Sequence, residues 1–231
     1  MYKYETHMHT AETSACASAA GEQQARRYKE LGYDGIIITD HFFNGNCHES
    51  IKNCKDWYKK VDMFMSGYEA AKAEGDRIGL KVFFGLEYCY CGADLLTYGV
   101  DREWLYAHPE VMSLSVFDYA GLVHDSGGVL VHAHPFREAG YLNEIRLVPH
   151  YVDGVESYNC GNASEVYNER AKWYAESFGF VQTGGTDNHH LSAERLSGIY
   201  TQTPLESIDD YVQAIKTNNI TGIIYPEKLK N

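Results

Sequence analysis

An α/β barrel is the fold class this sequence predicts, on three observations. Strand-like apolar runs alternate with amphipathic helical ones through most of the 231 residues, which implies a largely parallel sheet with right-handed crossovers. Five of the strand-like runs lead into imidazole or carboxylate: His7-Met-His9, Asp40-His41, Glu87, His132-Ala-His134 and Asp187-Asn-His189. No G-x-G-x-x-G turn or Walker A sequence marks the switch point of an open nucleotide-binding sheet. Polar groups at the ends of strands one, two, three, four and six converge only in a barrel mouth.

Each element has its own signal. The first strand ends at His9, and Ser18 to Leu31 reads as a helix stopped by Gly32. Asp34 to Asp40, with Gly35-Ile-Ile-Ile-Thr39 at its centre, is a buried strand. Ile51 to Ile78 is a long amphipathic helical stretch whose Trp57, Tyr58, Phe64, Met65 and Tyr68 recur at near-helical spacing and are expected in the core. Lys81 to Tyr90 is the third strand, and Gly92 with Leu95 to Val100 suggests a short hairpin return. A helix over Val116 to His124 feeds the fourth strand, Gly128-Val-Leu-Val131. Asp153 to Asn159 is the fifth, followed by a helix from Asn162, its expected N-cap, to Phe178. Phe180 to Asp187 is the sixth strand, Gly198 to Thr203 the seventh, and Ser207 to Lys216 a closing helix. Without a repeat or a Pro/Gly-rich linker, residues 1–231 read as one domain.

Composition narrows the function classes. A formal net charge of −12 argues against a nucleic-acid partner, which would call for a basic stripe. It leaves an anionic substrate open, because bound divalent cations invert the local potential. Met1 leads directly into Tyr2-Lys-Tyr-Glu-Thr6 and no apolar run reaches membrane-spanning length, so a cytoplasmic protein with no membrane partner is expected. Its six cysteines are then reduced thiols, and Cys89-Tyr-Cys91 has neither zinc-ribbon nor redox spacing. The oligomeric state leaves no mark in the sequence.

A hydrolytic metal centre needs neutral imidazoles and ionised carboxylates with a position left for water. His7, His9, His41, Glu87, His134, Asp187 and His189 supply that set. Any one of these histidines taken singly would read as a hydrogen-bonded core or surface residue. Their recurrence at strand ends is what identifies the centre.

In their order and surroundings, His7-Met-His9-Thr10, Thr39-Asp40-His41, Gly85-Leu-Glu87, Ala133-His134-Pro135 and Gly185-Thr-Asp187-Asn-His189 resemble the motifs of the PHP (polymerase and histidinol phosphatase) metal-dependent phosphoesterases. The resemblance runs from residue 7 to 189. It implies a distorted (β/α)7 TIM-like barrel with two or three divalent ions (Zn, Mn or Fe) at the strand ends. His7, His9, Glu87 and Asp187 would hold the first ion, Glu87 and His134 would share the second, and His41 with His189 would hold the third. Two positions depart from the pattern. Where the family often has a further histidine after its first motif, Thr10 to Cys16 offers only Glu12 or Cys16. Where it tends to have a histidine before a Leu-Leu-Gly-Tyr-like run, Asp94 precedes Leu95-Leu-Thr-Tyr98 and is a competent hard ligand.

Arginine pairs two phosphate oxygens at once. Arg137, directly after His134-Pro-Phe136, is the first substrate-binding candidate and Arg195 the second; His132, His190 and Asn159 are further substrate contacts. The expected reaction is hydrolysis of a small phosphomonoester, histidinol-phosphatase-like, by a hydroxide bridging two ions. Arg137 would assist, and Asp40, His41 or His189, if not metal-bound, or a metal-bound water would protonate the leaving group. A C–N hydrolase, a phosphodiesterase and a non-catalytic metal-binding domain are the alternatives the same residues allow.

Overall fold

The structure, a computed structural model, describes residues 1–142, 144–192 and 194–226. Its strands are β1 (Tyr2–Glu5), β2 (Gly35–Ile38), β3 (Lys81–Tyr90), β4 (Ala93–Tyr98), β5 (Val129–Ala133), β6 (Gly154–Asn159), β7 (Val181–Gly185), β8 (Gly198–Thr201) and β9 (Gly222–Ile224). They form one curled sheet in the order β7-β6-β5-β4-β3-β2-β1-β8-β9. The helices are α1 (Gly21–Glu30), α2 (Glu49–Lys52), α3 (Trp57–Ile78), α4 (Arg102–Ala107), α5 (Val116–Asp125), α6 (Glu165–Phe178) and α7 (Ile208–Lys216), with a 3-10 turn at Pro109–Ser113. Beyond the strand ends the curl closes on itself. Thr6 Oγ1 donates to Gly184 O at 2.9 Å, Asp187 N to His7 O at 2.8 Å, and His9 N to Asn188 O at 2.9 Å. This is the expected TIM-like barrel.

The sheet is more mixed than the expected parallel sheet with one short hairpin return. The hairpin return is a full strand: β4 lies between β3 and β5 and runs antiparallel to both. Its turn is Cys91-Gly92, with φ of 46° and 90°. Positive φ at both central residues is the geometry that matches the twist of a two-residue hairpin, and glycine supplies one of them freely. At the other edge β8 pairs antiparallel with β1, and the unanticipated β9 pairs antiparallel with β8.

The long helical stretch also divides. Asn53 ends α2, and Asp56 restarts the chain as the N-cap of α3, accepting from Lys59 N at 3.1 Å. Tyr58, expected in the core, is exposed. Ser164 caps α6 in place of Asn162, whose side chain donates to Asn168 at 2.8 Å and accepts from Arg137.

Strand alternation sorts the core. Ile37 faces inward with Tyr4, Phe83, Leu96, Tyr98, Val129 and Val131, filling the barrel below the mouth. Ile36 and Ile38 face outward to Tyr28 of α1 and Ala71 of α3. Helix α1 crosses α3 closely because Gly21 and Gly67 carry no side chain there: a Cβ on Gly21 would overlap Gly67 O, and one on Gly67 would overlap Thr10 Oγ1. Alanine would favour the α3 helix by roughly 0.8–1 kcal/mol over glycine, whereas forcing a methyl into a filled contact costs about 1–3 kcal/mol. We expect Gly67→Ala to lower the urea midpoint with an unchanged m-value. A raised midpoint would show that Thr10 yields without cost.

Candidate metal centre

Two glutamates buried behind the strand ends hold the ligand-bearing segments in place. Glu5, the last residue of β1, accepts from His7 N at 2.9 Å, Thr186 N at 3.0 Å and Tyr28 Oη at 2.9 Å, joining β1 to the segment after β7 and to α1. Burial pushes its carboxyl up to about 7 despite those bonds. Glu156 of β6 contacts His7 Nδ1 at 3.0 Å, accepts from His134 N at 3.0 Å and from Asn159 Nδ2 at 2.7 Å. A Cβ on Gly185 would overlap both Glu156 and His7, so glycine there allows β7 to approach them.

On this frame the side chains converge on Glu87. Its Oε1 lies 3.4 Å from His7 Nε2 and 3.2 Å from His134 Nε2. Its Oε2 lies 2.6 Å from His41 Nδ1 and 3.6 Å from His9 Nε2. Asp187 Oδ1 is 3.1 Å from His9 Nε2 and 3.5 Å from His7 Nε2. Asp94, delivered by β4, reaches within 3.9 Å of His134 Nε2. His189 stacks on His9 with ring centres 4.1 Å apart. His134 and Asp187 adopt φ of 28° and 57°, a conformation side chains seldom take and one that concentrates at functional sites.

Among the described residues, three groups have ligand atoms within 4.8 Å of one another: His7, His9 and Asp187; His7, Glu87 and His134; His9, His41 and His189. Each shared imidazole has one nitrogen to give. His7 Nδ1 is taken by Glu156 and His9 Nδ1 by Ser14 Oγ at 3.1 Å, which leaves one Nε2 apiece. Burial would lower His7 and His41, but Glu156 and Asp187 beside the first and Glu87 beside both outweigh it and hold them well above the ordinary imidazole range, so an ion entering there displaces their protons. Burial, then His41 and His189, holds His9 well below the ordinary imidazole range, so it is neutral. Burial alone would raise Glu87 and Asp187, but His41 and His7 outweigh it for Glu87, and Arg137 and His7 for Asp187, so both stay ionised. His41 Nδ1 and Glu87 Oε2 are buried and 2.6 Å apart, yet lack hydrogen-bond geometry with each other or with any described residue. Without an ion the pair is an imidazolium facing a carboxylate, and a shared cation would take the place of that proton between them.

Other expected residues sit elsewhere. Glu12 lies at the start of α1, where Gly21 N donates to its Oε2 at 3.1 Å. Asp40 lies behind the mouth, its two oxygens accepting from Thr10 N at 2.7 Å, Ser14 Oγ at 2.6 Å and Thr10 Oγ1 at 2.6 Å. His132 points outward from β5 to Tyr174 of α6, ring centres 6.0 Å apart. It does not share a face with His134, because the positive φ at His134 breaks the strand alternation. Arg195 is exposed and pairs with Glu165 and Tyr158 Oη. His190 is exposed and contacts Ser18 Oγ at 2.8 Å.

Arg137 is at the mouth. Its Nη1 lies 2.7 Å from Asp187 Oδ2, Nη2 donates to Asn159 Oδ1 at 3.0 Å, and Nε donates to Asn162 Oδ1 at 3.0 Å. Asn159 therefore orients Arg137 and Glu156 from a fully buried position. Sequence reasoning missed Glu5, Glu156 and Ser14, each of which reads as an ordinary strand or loop residue. It named Cys16 only as an alternative to Glu12, and of the two it is Cys16 that packs against His41 and His189. Partial burial raises that thiol, but hydrogen bonds with His189 and His41 outweigh it and bring it down to about 6.

No family profile matches the chain, and no curated protein does. Solved structures do. A two-domain protein from Bacteroides vulgatus containing a predicted PHP-like metal-dependent phosphoesterase superposes with a TM-score of 0.67 at 12% identity, over 98% of this chain and 65% of its own. The chain thus spans under two thirds of that protein. A candidate metal-dependent phosphoesterase from Bifidobacterium adolescentis gives 0.59 at 16% identity, over 94% of this chain and 96% of its own. An amidohydrolase from Chromobacterium violaceum, solved with sulfate and no metal, gives 0.59 at 15% identity over 99% of this chain and 100% of its own. At such identities the likeness is one of fold, and that fold is the PHP-like barrel.

Partners that fix a ligating imidazole's orientation are worth about 10–100-fold in metal affinity when removed. Glu156→Gln should weaken metal retention in a chelator titration by that order while circular dichroism stays unchanged. Wild-type retention would show that His7 does not depend on Glu156.

Proposed function

We propose that this protein is a metal-dependent phosphoesterase acting on a small phosphomonoester. The observation that carries the reading is Arg137, a largely buried guanidinium fixed by three partners beside a carboxylate of the ligand cluster. Arginine has five N–H donors in a planar fork. With Nη1, Nη2 and Nε each engaged once, two hydrogens are left for an incoming anion.

The ligand set supports two or three ions. His7, His9 and Asp187 would hold one, Glu87, His134 and Asp94 a second, and His41 with His189 a third. Divalent ions bound there would activate water and neutralise charge on phosphoryl oxygens. Glu87, facing four imidazoles through two oxygens, is placed to be shared between neighbouring ions. Two cavities flank the cluster. One, of about 640 Å³, is lined by Asp187, His189, His190 and Arg195; the other, of about 500 Å³, by Arg137 and Glu138. Both fall in the range that admits small ligands. With Asp40 fully bonded behind the mouth and His189 assigned to the third ion, His190 is the imidazole left on the larger cavity for proton delivery to the leaving oxygen.

Protein reconstituted with Mn, Zn or Fe and screened against phosphomonoesters, phosphodiesters and amides tests the reading. Turnover of monoesters is expected. Amide hydrolysis alone would favour the amidohydrolase alternative, diester cleavage alone the phosphodiesterase, and inertia of the loaded protein a purely metal-binding role. Losing a charge-assisted contact costs roughly 1.5–3 kcal/mol, a factor of about ten or more. Arg137→Ala should slow monoester hydrolysis by at least that factor while elemental analysis finds the metal content kept, since Asp187 Oδ1 still faces His7 and His9. An unaltered rate would remove Arg137 from the site. Glu87→Gln should lower both metal content and turnover without unfolding the chain, and a fully metallated, active variant would exclude a shared carboxylate.

A further inference from the structure

We propose that Cys16 is a thiolate ligand which completes, with His41 and His189, a third metal position chemically unlike the other two. This rests on reading the histidine cluster as a metal centre. His9 cannot serve two ions, because Ser14 occupies its Nδ1 and its Nε2 lies 3.1 Å from Asp187 Oδ1, within the first ligand group. Assigned there, it leaves His41 and His189 as the only imidazoles for the third position, and two imidazoles hold a divalent ion poorly. Glu12, the nearby carboxylate, is engaged with Gly21 N at the start of α1.

Cys16 fills that gap. Its thiol is within hydrogen-bond reach of both His41 and His189, and with His189 it lines the 640 Å³ cavity. Its position is fixed by the backbone. Ser14 N bonds Thr10 O at 2.9 Å, Ala15 N bonds Asn46 O at 2.8 Å, and Ala17 N bonds Ser14 O at 3.0 Å. Ser14 Oγ also accepts from His41 N at 3.0 Å, tying the loop to one of the two imidazoles. The buried Glu87 Oε2 is 2.6 Å from His41 Nδ1, so His41 is in contact with both the carboxylate and the thiol.

A set of two nitrogens and one sulfur selects differently from its neighbours. Positions rich in carboxylate suit Mn or Fe, whereas thiolate selects zinc among the available divalent ions. The full chain would therefore hold zinc here even when manganese or iron fills the carboxylate-bearing positions.

The test is X-ray absorption at the zinc edge of zinc-loaded protein, together with the optical spectrum of the cobalt-loaded form. A sulfur scatterer at about 2.3 Å and a thiolate-to-cobalt charge-transfer band are expected in the wild type. Both should vanish in Cys16→Ser, with about one metal equivalent lost, and both should persist in Cys89→Ser, which removes the other thiol against His41. Absence of sulfur from the wild-type zinc shell overturns the proposal. So does a sulfur signal that survives Cys16→Ser or disappears in Cys89→Ser. These signals do not depend on turnover, so a protein that hydrolyses nothing yet shows the Cys16-dependent sulfur shell refutes only the phosphatase reading.

Discussion

Everything at the mouth of this barrel is arranged around one buried carboxylate. Glu87 has no access to water, and an ionised carboxylate so placed costs several kcal/mol unless neighbours or a cation compensate. Four imidazoles from three other segments meet its two oxygens: His7 and His9 after β1, His41 after β2, and His134 after β5. Satisfying that charge fixes the relative heights of four strands and the curl that closes β7 onto the segment after β1. The positive φ at His134 and Asp187 is backbone strain accepted for the same convergence.

Behind the ligands stands a second set of acids. Glu5, Asp40 and Glu156 each use both oxygens on hydrogen bonds to the segments that carry the ligands. Burial raises Asp40 to about 6, so its place is sustained by Thr10 and Ser14. Imidazoles held from behind in one orientation offer a lone pair in a fixed direction, as a metal centre needs. The close crossing of α1 and α3 presses Gly67 against Thr10, so a contact far from the mouth bears on how it is assembled.

The antiparallel strand β4 is the main departure from a regular alternating barrel, and it has a local consequence. Pairing Asp94 with Cys89 on one side and Ala133 on the other carries a carboxylate to the rim beside His134. The net charge of −12 is thereby concentrated, in part, where cations would neutralise it. Arg137 is the fixed positive charge among these acids, and the geometry of Asn159 and Asn162 keeps it there.

The sequence by itself determined the barrel class, the order of its main strands and the residues that crowd the mouth. Strand-end histidines and acids are local signals, and the pattern of apolar runs places them with no knowledge of contacts. Tertiary structure decided what depends on distance across the barrel. Glu156 lies 149 positions from the His7 it orients, and no local pattern marks it off from any other strand acid. Asp40 and His132 carry the right chemistry for the site, but hydrogen bonds to Thr10 and Ser14 and an outward strand face turn them away from the mouth, while an ion pair with Glu165 engages Arg195 at the wall of the larger cavity. Cys16 and Glu12 stand level in the sequence, until folding brings Cys16 against two imidazoles that lie 25 and 173 residues away in the chain and Glu12 against Gly21 N. Residue type and spacing are written along the chain, whereas which lone pair is free and which is already bonded exists only after the chain has closed on itself.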